Sequence, residues 1–198
     1  MVSPAKPRSG PGRPRSARAH QAMLAAALEL LARDGYGELT LTAVARHAGV
    51  GRGSVYRRWR SKVALVVDAF QELPQLPTPD TGNLVDDLTE EVQGLLRIFG
   101  DSPLGHVLPI LAAECTRDPA LREELAPVFR IRRAPLLGVL ERAVARNELP
   151  PDLDIEAAAD LLVGPIVNRL FFTGAMPDPA SARRYVDAAL YGINRLRV

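Results

Sequence analysis

The chain has 198 residues, 47% of them hydrophobic but only 5% aromatic, with a single cysteine, Cys115. That suffices for one medium or two small helical domains, and it excludes an intramolecular disulfide framework and a cysteine-based zinc centre. The net charge of +2 conceals an asymmetry: residues 1–62 carry 12 Lys/Arg against 3 Asp/Glu, and residues 63–198 carry 13 against 20.

A basic first third points to a polyanionic partner, and an acidic remainder points to a second domain with a different task. The first thirty residues lack the apolar core of a secretory signal, and no later stretch reaches the roughly 18 apolar residues of a membrane span. The expectation is a cytoplasmic protein with no membrane partner.

Residues 1–15, rich in Pro, Gly, Ser and Arg, are expected to form a flexible basic arm. Proline between Arg13 and Arg15 favours an extended backbone narrow enough for a minor groove, and a loose solubilising tether is the alternative. Ser16 is placed to cap helix 1, whose apolar positions Met23, Ala27, Leu30 and Leu31 keep helical spacing until Asp34-Gly35.

Thr40 then caps a two-turn helix with Leu41, Val44, Ala45 and Ala48 on its buried face. Gly49 supplies the left-handed stop, Val50 the apolar plug, and a second helix begins near Arg52. On that helix Val55 and Trp59 face inward while Arg52, Gly53 and Ser54 can approach base edges. Residues 40–59 thus read as a helix-turn-helix inside a three-helix domain spanning 16–73. Ser61 caps helix 4, and Pro74, Pro77 and Pro79 mark the boundary.

The string Thr40-x-Thr42, Gly49-Val50, Gly53-Ser54-x-Tyr56, Trp59-x-Ser61-Lys62 closely resembles the DNA-binding signature of the tetracycline-repressor (TetR) family, over about Ala17 to Gln71. The resemblance implies that Tyr56 and Lys62 contact phosphates and that Thr42, Arg52, Gly53 and Ser54 reach base edges or adjacent backbone. Arg57 and Arg58 depart from the aromatic or His frequent at those places, which is compatible with phosphate binding but puts any base contact from Arg57 in doubt. Trp59 replaces a usual apolar residue and is expected to pack.

Five more helices are expected in residues 80–198, making an all-α protein of about nine. Asn83 caps helix 5; helix 6 runs from about Leu104 to Arg117; Asp118-Pro119 opens a long helix 7. Asp154 caps helix 8, residues 155–173, and Asp178-Pro179 opens helix 9. The stretch from Pro103 to Arg197 resembles a C-terminal domain type common among actinobacterial members of the same family. Such domains share a dimer scaffold and differ in what they bind.

Nothing in the chain reads as an enzyme: there is no phosphate-binding glycine loop, nucleophile elbow or HExxH, and the three histidines fall on separate elements. No cofactor and no metal are expected. The expected function is a homodimeric repressor that binds a pseudo-palindromic operator in double-stranded DNA and is released by a small, mainly apolar effector. The alternative is a constitutive or architectural DNA-binding dimer whose second domain only dimerises.

The effector wall is expected from helices 5 to 8: Leu96, Phe99, Leu108, Leu111, Phe129, Phe171 and Phe172, with His106, Glu114 and Asn168 as orienting polar groups. Few cations fall on the apolar faces, so a strongly anionic effector is not expected. The dimer interface is expected on helices 8 and 9, through Leu162 and Ile166 and through Tyr185, Ala189 and Gly192.

Overall fold

The computed structural model describes residues 13–76 and 78–193, with the backbone alone for residues 13–15. Nine α-helices lie among the described residues, and the chain divides into two compact units between Ala69 and Phe70.

The first unit contains α1 (Arg13–Glu38, broken at Gly35, whose φ of 82° is non-helical), α2 (Leu41–His47), α3 (Arg52–Tyr56) and most of α4 (Lys62–Gln71). Its α1 starts three residues before the expected cap, so Arg13-Pro14-Arg15 belongs to a helix and not to an extended arm. Proline's fixed φ and missing N–H suit the first turn of a helix, where that N–H would have no partner. Residues 1–12 and the side chains of Arg13 and Arg15 lie outside the described residues.

Ser16 is therefore internal to α1, and its Oγ accepts a 2.8 Å hydrogen bond from Arg58 Nη2. Thr40 Oγ1 accepts from the Ala43 N–H at 3.1 Å, as its place before α2 requires. Gly49, at φ 65°, ends α2: its N–H bonds the Arg46 carbonyl and the Val50 N–H bonds Ala45, a Schellman arrangement that β-carbons disfavour. Met23, Leu31, Leu39, Val44, Val55 and Leu65 fill the core beneath.

The second unit holds the end of α4 and α5 (Leu84–Asp101), α6 (Leu104–Cys115), α7 (Pro119–Ala145), α8 (Ile155–Asn168) and α9 (Ala182–Ile193). Helix 8 is shorter than expected because residues 169–173 widen into a π-helical turn, closed by Gly174 at φ 65°. Asn83, Asp118 and Asp154 cap their helices through side-chain oxygens.

Helix α5 packs against α6, α7, α8 and α9, so it is buried on several sides and carries two buried carboxylates. Asp87 accepts from the Thr81 N–H and hydroxyl, both at 2.7 Å, and lies 3.6 Å from Arg146. Desolvation pushes its pKa up, but these bonds and the neighbouring arginines outweigh it and leave the carboxyl below its ordinary value. Glu91, one turn on, has neither oxygen hydrogen-bonded, and burial, then repulsion from Glu90, lift it to about 7.

Close approach fixes the α5–α6 corner. A β-carbon on Gly105 would stand 1.9 Å from the Phe99 carbonyl oxygen, which only glycine avoids.

Candidate DNA-reading surface and effector cavity

The outer face of the helix-turn-helix is built by alternation around α3. Val55 and Trp59 are buried, Trp59 donating to Asp68 Oδ2 at 2.7 Å and stacking on His20. One turn of helix cannot bury both sides, so Arg52, Gly53, Tyr56, Arg57 and Arg58 are exposed and Ser54 is half-buried. The Tyr56 hydroxyl lies 3.3 Å from Thr42 Oγ1, which brings α2 and α3 to one polar edge.

Two of the expected phosphate contacts are also internal braces. Lys62 Nζ donates to the Tyr36 carbonyl at 2.9 Å and sits 4.1 Å from the centre of the Tyr36 ring, while two further N–H donors remain on the ammonium. Arg58 ties α3 to α1 through both the carbonyl and hydroxyl of Ser16. Arg57 extends over its own helix, with Nη2 3.4 Å from Ser54 Oγ. A groove of about 440 Å³ beside α3 is lined by Ser16, Ala19, Met23, Ser54, Arg57 and Arg58, a polar rim over an apolar floor.

The second unit contains an apolar cavity of about 110 Å³. Phe99, Leu108 and Phe129 line it as the sequence led one to expect, together with Phe70, Gln75, Leu76, Leu95, Ile98, Leu104, Ile131, Arg132 and Pro135. The wall thus comes from the end of α4 and the residues after it, from α5, α6 and α7, and takes nothing from α8.

The other expected wall residues stand elsewhere. Leu96 and Leu111 are buried in the core and do not line the cavity, although Leu95 and Leu108 on the same helices do. Because α5 is covered on several sides, its apolar positions serve different neighbours. Glu114 pairs with Arg117 at 3.3 Å, and His106 lines a separate depression of about 400 Å³ with Pro109, Leu170 and Met176. Asn168 is exposed, and the π-helical turn carries Phe172 outward to 82% exposure.

Arg132 is the functional candidate that sequence reading missed. It falls four residues after buried Val128 and four before buried Leu136, so its place is on the inward face of α7. Its guanidinium donates to the carbonyls of Phe70, Leu73 (2.9 Å) and Pro74 (3.0 Å) and lies over the Phe70 ring.

On the expected dimer face, Leu162, Ile166 and Ala189 are buried within the subunit itself and cannot be offered to a partner. The exposed stripe of α8 is instead Leu161, Gly164, Pro165 and Asn168, continued by Phe172 at the i, i+3, i+4, i+7 and i+11 positions. On α9 the corresponding exposed residues are Ala188 and Tyr191, while Tyr185 and Gly192 are half-buried, Gly192 close against Leu161. Among the described residues no helix is long and apolar enough to cross a membrane, and no three side chains form a metal-binding group.

Known proteins share this arrangement along nearly the whole chain. Residues 23–69 match the family described as bacterial regulatory proteins, tetR family, and residues 78–189 match the tetracyclin repressor-like C-terminal domain. An uncharacterized HTH-type transcriptional regulator of Bacillus subtilis, YdeS, is 36% identical over 185 residues, covering 92% of this chain and 93% of the relative. The DNA-binding transcriptional repressor TetR of Mycobacteroides abscessus is 32% identical over 177 residues, covering 85% and 90%. The crystal structure of the TetR family transcription regulator SCO0332 superposes with a TM-score of 0.69 at 28% identity, over 89% of this chain and 98% of that one. These relatives are DNA-binding regulators of transcription, not enzymes, and this all-α chain with its helix-turn-helix belongs to the TetR family.

Proposed function

We propose that the protein is a homodimeric repressor, released from a pseudo-palindromic operator when a small, mainly apolar molecule enters the second unit. The observation that carries this reading is the coexistence of an exposed basic helix-turn-helix with an apolar cavity elsewhere in the chain. A domain needed only for dimerisation has no use for such a void, because unfilled apolar space costs stability. The Mycobacteroides relative, itself named a repressor, supports the sign of regulation.

Arg52, Ser54 and Thr42 face base edges in this reading, and Gly53 admits close backbone approach. Tyr56, Arg57, Arg58 and Lys62 hold phosphates. Two such heads act together because α3 is a single short helix, and one helix buries too little surface to specify a site. The exposed stripe Leu161, Pro165 and Phe172, with Tyr191 beside it, supplies the apolar surface that a second copy covers.

The effector acts only if it binds the DNA-free state more tightly than the DNA-bound state. A thermal-shift screen of small metabolites, followed by operator release assays on each hit, tests this directly. Hits that release DNA support a sensor; hits that occupy the cavity and leave operator affinity unchanged identify a constitutive DNA-binding dimer.

A further inference from the structure

We propose that the effector is a small apolar monocarboxylate whose acid group is received by Arg132. This deepens the effector reading above and rests on it. A cavity of about 110 Å³ is close to the roughly 150 Å³ that admits benzene in an engineered protein cavity, so one ring or a short alkyl chain fills it.

Arg132 is the one charged residue in a wall otherwise made by side chains such as Phe70, Leu95, Phe99, Leu108 and Phe129. Among the described residues no Asp or Glu stands at ion-pair distance from it, unlike Arg133, Arg142 and Arg146 of the same region. Its positive charge is met by the carbonyl dipoles of Phe70, Leu73 and Pro74 and by the face of the Phe70 ring, with no carboxylate among them, and its Nε–H is buried with no acceptor. Burial lowers the pKa of the guanidinium, as expected for a cation short of counter-charge.

A carboxylate supplies what this site lacks, a negative charge and acceptor oxygens for planar N–H donors. An alcohol offers the acceptor without the charge, and an amine adds a second cation beside the first. The ionised acceptor also competes with the neutral carbonyls of Phe70, Leu73 and Pro74 for the same guanidinium. Occupancy therefore loosens the last turn of α4, the helix that begins at Lys62.

The test uses the full chain with benzoate, benzyl alcohol and benzylamine, three probes of one ring each. Calorimetry is expected to show benzoate binding at least about tenfold tighter than benzyl alcohol, with benzylamine weakest. The arginine ¹H–¹⁵Nε resonance that disappears in Arg132→Lys is expected to shift with benzoate and to stay in place with the alcohol. Equal binding of all three probes, no binding of benzoate, or an unmoved Arg132 resonance overturns the proposal.

Because Arg132 also ties down α4, Arg132→Met can unfold the unit on its own account. Leu108→Trp fills the cavity and leaves the guanidinium intact; it is expected to abolish benzoate binding, and undiminished binding overturns the proposal. Operator release separates the two levels of inference. Release by benzyl alcohol but not benzoate keeps the effector reading and removes the acid; benzoate seated on Arg132 without any change in DNA affinity keeps the acid site and removes the effector reading.

Discussion

The hydroxyl of Tyr56 lies 3.3 Å from Oγ1 of Thr42, joining α2 and α3 of the helix-turn-helix at their exposed edge. Tyr56 is 53% exposed, so its hydroxyl can bond a phosphate without leaving Thr42. Tyr56→Phe is expected to weaken binding to every duplex by about 1 kcal/mol, the worth of one hydrogen bond, with no change in the ranking of sequences. Arg52→Ala is expected to change that ranking. Competition anisotropy against a panel of duplexes distinguishes the two, and a reordered ranking with Tyr56→Phe contradicts its assignment to the phosphate.

Lys62 combines a brace and a charge. Lys62→Gln keeps a donor for the Tyr36 carbonyl and removes the cation. The slope of log K against log salt is expected to flatten by about 0.9, the value for one phosphate contact. An unchanged slope confines Lys62 to its structural role.

Glu91 sets a pH dependence in the second unit. Its carboxyl titrates near 7 in the fold against an ordinary 4.5, so between those values the folded chain holds a proton that the unfolded chain has released. Stability then falls as pH rises through that window and stays lowered above it, by about 3 kcal/mol for a rise of this size. Urea unfolding of Glu91→Gln is expected to lose this fall between pH 5 and pH 8. A variant that parallels the native protein at both values shows that Glu91 ionises normally.

Two glycines near the α5–α6 corner predict opposite effects. Gly100→Ala meets no atom within 4 Å and lies inside α5, so it is expected to stabilise by about 0.5–1 kcal/mol. Gly105→Ala drives a methyl into the Phe99 carbonyl and is expected to lower the melting temperature sharply. Equal shifts of one sign contradict this packing.

Burial within the subunit redirects the dimer test. Leu161→Arg or Tyr191→Arg, at exposed positions, is expected to give folded monomers in sedimentation velocity. Ala189→Arg is expected to unfold the subunit instead, because that site is already covered by the subunit's own core. Dimers that survive both exposed substitutions place the interface elsewhere.

Helix ends and the helix-turn-helix were legible in the sequence because they depend on neighbours along the chain. Thr40, Gly49, Asn83, Asp118 and Asp154 act within three or four residues of themselves. The α1 start was misplaced because Ser16 is as good a cap as Pro14 is a first-turn residue, and no local rule ranks the two. The cavity was half legible: an apolar stripe shows that Leu95 and Leu96 are both inward but not which neighbour each meets. Arg132 was hidden for the same reason, since its acceptors lie about sixty residues away. Leu162 and Ile166 share an apolar helix with Leu161, and only the packing of α9 against α8 shows which of them remain uncovered.

Selection from random-sequence duplexes by the full chain, followed by sequencing, tests paired recognition most directly. Enrichment of an inverted repeat with half-sites about one or two helical turns apart is the expected result, given a short α3 on each of two copies. Enrichment of a lone, unrepeated half-site, or of no sequence at all, contradicts a dimeric, operator-specific regulator.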